Sequence, residues 1–397
     1  MKRILLLILI LSAAFQAKSQ EYENLQVSLL TVEPRSNAVY TIFGHTALRL
    51  CDPSKNVDIV FNWGTFDFNK PNFIFRFIKG ETDYFLSTDF YNHFIYSYSA
   101  KNSTVIEQIL DIPDEEKSKL VRILENHLLP ENREYRYNYF FDNCTSRVRD
   151  IIEIFSGGKI VYPTKSQPTT FRSLIHECTA PYPWLEFGID LLIGNGADSI
   201  VSYRNELWLP EKLMLAVDSV VVKDLSNHER PLLLSSKTIL TAENEYNTTL
   251  KIWNNPLAVG IFVLGIYLGM LFVFYLKKRE YRFPFALLFL LIGIGGCIVA
   301  TTCFFSSHPC TWPNWNILWI HPLHLIGFAG FIPKRTSRWS SWYHGLNFVL
   351  LSFLLLGWYW IPQGMNAACI PFILCLWSIS GMQILTIRKF GINKNNR

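Results

Sequence analysis

The rhythm of hydrophobic and polar positions changes twice along this 397-residue chain. The first residues run basic, then apolar, then small: Lys2 and Arg3, Ile4 to Leu11, and Ala17-Lys18-Ser19. That is the three-part pattern of a secretory signal peptide, and its apolar core is too short to span a bilayer. Residues 1–19 are therefore expected to direct export. From 20 to 250 the apolar residues come in short runs among nearly all the acidic ones. Segments 27–32, 40–50, 57–63, 72–78 and 94–99 are β-branched and aromatic and read as strands, with a turn over 52–56. Pro113-Asp114-Glu115-Glu116 opens a helix carried by Leu120, Leu124 and Leu128 and stopped by Pro130. Val148, Ile151, Ile152 and Phe155 fall at i, i+3, i+4 and i+7, a second amphipathic helix. Asp142 or Asn143 can cap its start and Gly157 suits its end. Residues 217–250 read as a small β extension.

After residue 255 the pattern becomes continuous. Apolar stretches at 256–276, 284–305, 317–332, 343–361 and 367–387 each approach the ~20 residues needed to cross the hydrocarbon. The third is short and broken by Pro322. If the preceding domain is exported, Lys277, Lys278, Arg279 and Arg282 fall inside, as do Lys334, Arg335 and Arg338 and the tail with Arg388, Lys389, Lys394 and Arg397. The loops near 306–316 and 362–366 carry no Lys or Arg. Five spans thus obey the positive-inside rule at every turn. Trp312, Trp315, Trp319, Trp358 and Trp360 stand where outer interfacial anchors belong.

Composition narrows the class. Half the residues are hydrophobic and only 17% are charged, against about a quarter in soluble chains, which excludes a wholly soluble protein and a disordered one. The net charge of +5 is too mild and dispersed for a nucleic-acid partner. Cys297, Cys303, Cys369 and Cys375 lie in the expected spans. Cys51, Cys144, Cys178 and Cys310 face an oxidising compartment, where Cys51 and Cys178 could pair. No CxxC and no His/Cys metal spacing occurs, so neither a metal nor another cofactor is expected.

The candidate chemistry centres on Cys144. It falls in the first turn of the second helix, where unsatisfied N–H groups and the helix dipole favour a thiolate and can hold a developing oxyanion. The plain alternative is a buried thiol at a helix start. His45, at a strand start after Gly44, supplies a base of the kind a thiolate nucleophile needs. Asn62, on the next expected strand, can orient that base across paired antiparallel strands, or it is only a turn residue before Gly64. Asp67 is the reserve candidate.

A strand-borne His preceding an Asn-Cys pair at a helix start resembles the circularly permuted branch of the papain-like NlpC/P60 fold, which includes lecithin:retinol acyltransferase-like proteins. Gly44-His45-Thr46-Ala47, Asn62-Trp63-Gly64-Thr65-Phe66-Asp67, the run from Tyr137 to Thr145, the run from Pro183 to Asp190, and His308-Pro309 with Asn314 to Trp319 resemble more closely the Bacteroidota-type lipoprotein N-acyltransferase. The resemblance implies an α+β permuted papain-like exported domain, residues 20–250, followed by an all-α membrane domain, residues 251–397, of about five transmembrane helices. It implies a multi-pass protein of the bacterial inner membrane with its catalytic domain in the periplasm. It implies that an acyl chain passes from a membrane phospholipid, through a thioester on Cys144, to the N-terminal amine of diacylated lipoproteins, with His45 as the base. It does not supply the third residue, for which Asn62 is the choice from the residues themselves. The Cys–His pair alone also admits a membrane-tethered cysteine amidase or peptidase acting on cell-wall peptides. Five spans weigh against that, since hydrolysis of a soluble polymer needs only one anchor.

Other polar groups have two readings each. Glu186 and Asp190 form either a carboxylate pair or the polar side of a docking helix between Pro183 and Gly194. His176, near Glu177 and Cys178, reads as a solvated helix end rather than a ligand. His308, Asn314, Asn316, His321 and His324 gather at one membrane face, as substrate contacts or as loop residues. Gly293, Gly295 and Gly296 read as a close helix-packing site. Tyr137, Tyr139, Phe140 and Phe141 are placed to keep water from Cys144, or they are core packing of a strand entering the helix, the reading preferred for Phe140.

Overall fold

The computed structural model describes residues 22–35, 41–164, 167–243, 252–277, 281–332 and 338–392. The signal segment and the loop cations Lys278, Arg279, Lys334, Arg335, Lys394 and Arg397 lie outside the described residues. The chain forms two compact units: Met1–Thr169 with Ile200–Asn247, and Thr170–Ser199 with Thr248–Arg397. The second unit resumes close to the expected boundary at 250, but it also takes in the segment from Thr170 to Ser199.

The first unit is built on strands β1 (Gln26–Val32), β2 (His45–Asp52), β3 (Val57–Thr65), β4 (Asp83–Phe90), β5 (Val105–Leu110), β6 (Glu134–Arg136), β7 (Lys159–Val161), β8 (Val221–Lys223), β9 (Glu229–Pro231) and β10 (Leu233–Leu240). Seven of them form one antiparallel sheet in the order β10-β5-β1-β2-β3-β4-β6, and β7-β8-β9 form a small second sheet. The β2–β3 turn uses Asn56 in the left-handed region, φ 55°, a conformation Asn tolerates.

Four helices of this unit are α1 (Phe73–Lys79), α2 (Tyr91–Ala100), α3 (Asp114–Leu128) and α4 (Cys144–Phe155). The α1 and α2 segments correct two expected strands, 72–78 and 94–99. Their aromatic and β-branched residues favour strands locally, but that preference depends on what the side chains pack against. Phe94 and Tyr98, four apart on α2, meet as tilted rings with centroids 4.7 Å apart and join Leu30, Val32, Ala47, Val60 and Val105 in the core on one side of the sheet. A strand would also put both on one face but about 13 Å apart, and only a helix brings the two rings into contact. The α4 helix covers β2 and β3, and its Val148, Ile151, Ile152 and Phe155 pack with Leu29, Leu48, Leu50, Phe61 and Trp63. The resulting α+β domain agrees with the expected fold class.

The second unit contains α5 (Phe171–Thr179), α6 (Pro183–Leu192), α7 (Pro256–Lys277), α8 (Arg282–Phe305), α9 (His324–Gly330), α10 (Arg338–Leu356) and α11 (Cys369–Ile392). Among the described helices, α7 and α8 have the length and apolarity to cross a membrane, and α11 carries a shorter apolar stretch. The expected third stretch, 317–332, is not one helix. A 3₁₀ turn over Trp315–Leu318 is followed by Pro322 and the seven-residue α9, which rises only about 10 Å. Trp319 is not an interfacial anchor, for it is 1% exposed, whereas Trp312 and Trp360 are exposed. The α8 glycines do pack closely: a Cβ on Gly296 would collide with the His321 backbone, and one on Gly293 would come within 2.8 Å of Leu325. The α6 helix docks through Phe187, which shares a core with Leu271, Phe285 and Phe289.

Candidate active site

The β2–β3 pairing runs from Asp52↔Val57 to Leu48↔Phe61 and goes no further. His45, the first residue of β2, and Asn62 on β3 therefore flank the point where the two strands part. Gly44 makes the turn into β2 at φ +75°, where a Cβ would lie 2.6 Å from the Val32 carbonyl oxygen. His45 Nε2 lies 3.2 Å from Asn62 Oδ1. A carbonyl oxygen only accepts, so the proton sits on Nε2 and Nδ1 is the nitrogen left for Cys144. Tyr98 stacks on the other side of the ring, centroids 6.4 Å apart. Asp67 is elsewhere, exposed and accepting the Asn69 N–H at 2.8 Å.

Cys144 occupies the first position of α4 and is 9% exposed. Of the two possible caps, Asn143 is the one used. Its Oδ1 accepts the N–H groups of Thr145 and Ser146 at 2.9 and 2.8 Å, and Ser146 Oγ accepts the Asn143 N–H at 2.8 Å. This is a reciprocal capping box. The Asn143 amide is itself pinned, donating to the carbonyls of Tyr139 and Trp208, both at 2.9 Å. The cap revises one expectation: two helix-start N–H groups are already committed to Asn143, and the Cys144 N–H is the one that the cap leaves. Asp142 instead forms a two-pronged pair with Arg147 at 2.6 and 2.9 Å.

Burial alone would push the Cys144 thiol up. The charge of His45, a hydrogen bond with it, the Thr46 N–H and the Thr145 hydroxyl outweigh that and hold the thiol below its ordinary range. Burial likewise opposes the charged imidazole, but the attraction and hydrogen bond to Cys144 and the Asn62 contact raise His45 above its ordinary value, against a smaller opposing effect of Lys101. The two shifts have one shared cause, and both run in the direction of a thiolate–imidazolium pair shielded from water. Thr46 and Thr145, joined hydroxyl to hydroxyl at 3.0 Å, tie β2 to the helix start, and Thr145 Oγ1 lies 3.7 Å from the sulfur.

Further residues enter the site that the sequence did not single out. Gly64, at φ +88°, sits where β3 shifts register against β4 between Asn62 and Thr65. A Cβ there would be 3.5 Å from Cys144 Cβ and 3.7 Å from the Tyr137 ring. Tyr137 stacks on Tyr84 at 4.1 Å. Burial, with the Cys144 charge second, keeps the Tyr135 and Tyr137 hydroxyls well above the usual phenol range, so both stay neutral. Of the aromatic run expected at the site, only Tyr137 is placed beside Cys144 by these contacts. Phe140 packs on Trp208 at 5.0 Å and Phe141 is 49% exposed. The one signal for Thr46, Thr145 and Gly64 was adjacency to His45, Cys144 and Asn62.

The second unit resolves the other polar candidates. Asp190, 1% exposed, accepts from Arg172 at 2.6 Å and from Asn366 at 3.0 Å, and its carboxylate also bonds His176 at 3.0 Å. His176 is thus not a solvated helix end. The donor atoms of His176, Glu186 and Asp190 lie within 4.8 Å of one another, a spacing that could hold a cation. Yet Asp190 is already paired with Arg172 and His176, so the cluster is an ionic latch between α5 and α6. Asn314 and Asn316 donate to the carbonyls of Leu191 and Asp190 at 2.9 and 2.8 Å, which makes them anchors for α6. Cys51 and Cys178, which could have paired, are not joined by a disulfide.

Two family models match this chain in tandem. The Lnb N-terminal periplasmic domain covers residues 13–177 and the Lnb transmembrane domain covers residues 247–390. Comparison with curated proteins and with solved structures returns no match.

Proposed function

The chain belongs to the Lnb family, a periplasmic domain followed by a transmembrane domain, and from that premise we propose that it is a lipoprotein N-acyltransferase with Cys144 as nucleophile. The observation that carries this reading is the buried Cys144–His45 pair, with the thiol held low and the imidazole held high. The Cys144 thiolate attacks an ester carbonyl carbon of a membrane phospholipid. The tetrahedral oxyanion meets the Cys144 N–H at the helix start. Collapse breaks the C–O bond, and His45 gives its proton to the leaving lysophospholipid alkoxide. The acyl chain is then a thioester on Cys144. The α-amine of a diacylglyceryl-Cys lipoprotein attacks that thioester, neutral His45 takes the amine proton, and the thiolate leaves as the amide forms. Asn62 keeps the imidazole in the tautomer both steps require.

A membrane-anchored site suits two lipid-anchored substrates, which then meet by diffusion in a plane. The charge pattern of the loops supports five spans in the inner membrane with the Cys144 domain in the periplasm. The direct test is mass spectrometry of a lipoprotein N-terminus from cells with and without this protein. Triacylated N-termini that depend on Cys144 support the reading. N-termini unchanged by deletion of the gene, with wall peptides altered instead, would support the amidase.

A further inference from the structure

The helix α1 is turned inside out. Of its seven residues only Arg76 and Lys79 are polar, and none of the seven is buried. A helix on a water-facing surface hides its apolar side and shows its charges. Here the cations turn toward the fold. Arg76 donates to Asp83 at 2.7 Å and to the Glu81 carbonyl at 2.9 Å, and Lys79 pairs with Glu81 at 2.6 Å. The hydrocarbon turns out. Ile74 is 75% exposed, Phe75 60%, and Phe68 in the preceding loop 63%. The surface is continuous, because the Phe68 and Phe73 ring centroids lie 5.0 Å apart and those of Phe73 and Phe77 6.3 Å. It also runs inward. Phe68 meets Phe66 at 4.7 Å, Phe66 meets Tyr84 at 5.2 Å, and Tyr84 stacks on Tyr137 at 4.1 Å, beside Cys144.

Single exposed apolar residues are ordinary, but a contiguous bulky patch marks a surface that another apolar phase covers. Two observations select a lipid surface as that phase. The first is reach. The transmembrane domain of the family begins at residue 247, shortly after β10 ends at Leu240, so the chain itself holds this unit near a bilayer. The second is charge. Lys70, Arg76 and Lys79 flank the patch, and although each is paired with a carboxylate, their side chains stay 29%, 31% and 29% exposed. Phosphate headgroups can meet them there, and bulky apolar residues flanked by Lys and Arg are what an interfacial helix presents to lipid. We propose that Phe68 and α1 seat in a phospholipid surface, with Ile74 and Phe75 among the acyl chains and the three cations at headgroup level. The ring path from Phe68 to Tyr137 then guides a donor chain toward Cys144, a role that rests on the acyl-transfer reading above. The seating itself does not depend on that reading.

The test is photo-crosslinking of the full chain in phosphatidylethanolamine–phosphatidylglycerol proteoliposomes, read by intact mass. With Phe75 replaced by p-benzoylphenylalanine, irradiation should add the mass of one phospholipid. With Tyr96 replaced instead, equally exposed but on α2 against the opposite face of the sheet, it should add none. No lipid captured at 75, equal capture at both positions, or a second protein chain captured in place of lipid would overturn the seating. Ile74→Asp combined with Phe75→Asp should lower transfer from vesicle phospholipid at least ten-fold while a small soluble reagent alkylates Cys144 at the parent rate. Unchanged transfer would remove the patch from donor delivery. The two readings fail separately: a parent that transfers acyl groups without lipid capture at 75 defeats this inference alone, and capture without any transfer defeats the acyl-transfer reading alone.

Discussion

The reactivity of a single sulfur is set here by a single ring. With His45 present, the thiol is held below its ordinary range and the imidazole above its own. As pH falls through the lowered Cys144 value, the thiolate is lost. As pH rises through the raised His45 value, the proton for the leaving group is lost. Alkylation of Cys144 should therefore begin at a pH below the usual thiol range. In His45→Ala that limb should move upward, because burial is then opposed only by the Thr46 N–H and the Thr145 hydroxyl, and stopped-flow alkylation against pH would show it; an unmoved limb would separate the two residues. Acyl transfer in His45→Ala should fall by about 10²–10⁴-fold, the usual contribution of general acid–base catalysis. Cys144→Ser should fold and lose transfer altogether, since a serine hydroxyl is not ionised here. These residues were legible because each carries unusual chemistry in a local context: a His after Gly at a strand start, an Asn-Cys before an amphipathic run. Thr46 and Thr145 were not, because their meeting at 3.0 Å spans 99 positions and adjacency to His45 and Cys144 does not by itself give a threonine a role.

At the scale of elements, the helix start is held as firmly as the sulfur is tuned. Asn143→Ala removes the cap, and loss of such a cap costs about 0.5–2 kcal/mol. It also strands the Tyr139 and Trp208 carbonyls, so the upper part of that range is expected in chemical denaturation, with a matching fall in alkylation rate. Gly64→Ala should behave differently. Its φ of +88° costs a residue with a Cβ about 1–2 kcal/mol, and the added methyl narrows the approach to Cys144. Transfer should drop more than stability does, which parallel activity and melting measurements would separate. In the second unit Gly296→Ala meets the His321 backbone and should cost about 1–3 kcal/mol by overpacking. The elements also show where sequence reading ends. Period and capping located α3 and α4, because Leu120 and Leu124, and Val148 with Ile152, repeat on one face. The α1 and α2 segments misled, because aromatic residues carry no period of their own when both faces are partly covered, and only the sheet beneath Phe94 decides for a helix.

At the scale of the whole molecule, the apolar stretches after 255 announced a membrane half, and the segment from Thr170 to Ser199 that joins it did not announce itself. Its attachment rests on contacts such as Asn316 to the Asp190 carbonyl and Asn366 to the Asp190 carboxylate, between residues far apart in sequence. The proposed topology predicts cytoplasmic signals from reporter fusions after Lys278 and after Arg335, and a periplasmic signal from one near Trp312. A cytoplasmic signal at Trp312 would remove the five-span arrangement. The central claim is that acyl groups pass through Cys144, and intact-mass analysis of the purified protein tests it most directly. Incubated with phospholipid and no acceptor, the protein should gain the mass of one acyl chain on Cys144 with little free fatty acid, and a diacylated lipopeptide should then discharge it into an N-acyl product. Continuous release of fatty acid with no amide formed, or a chain that gains no mass while it cleaves wall peptides, would contradict it.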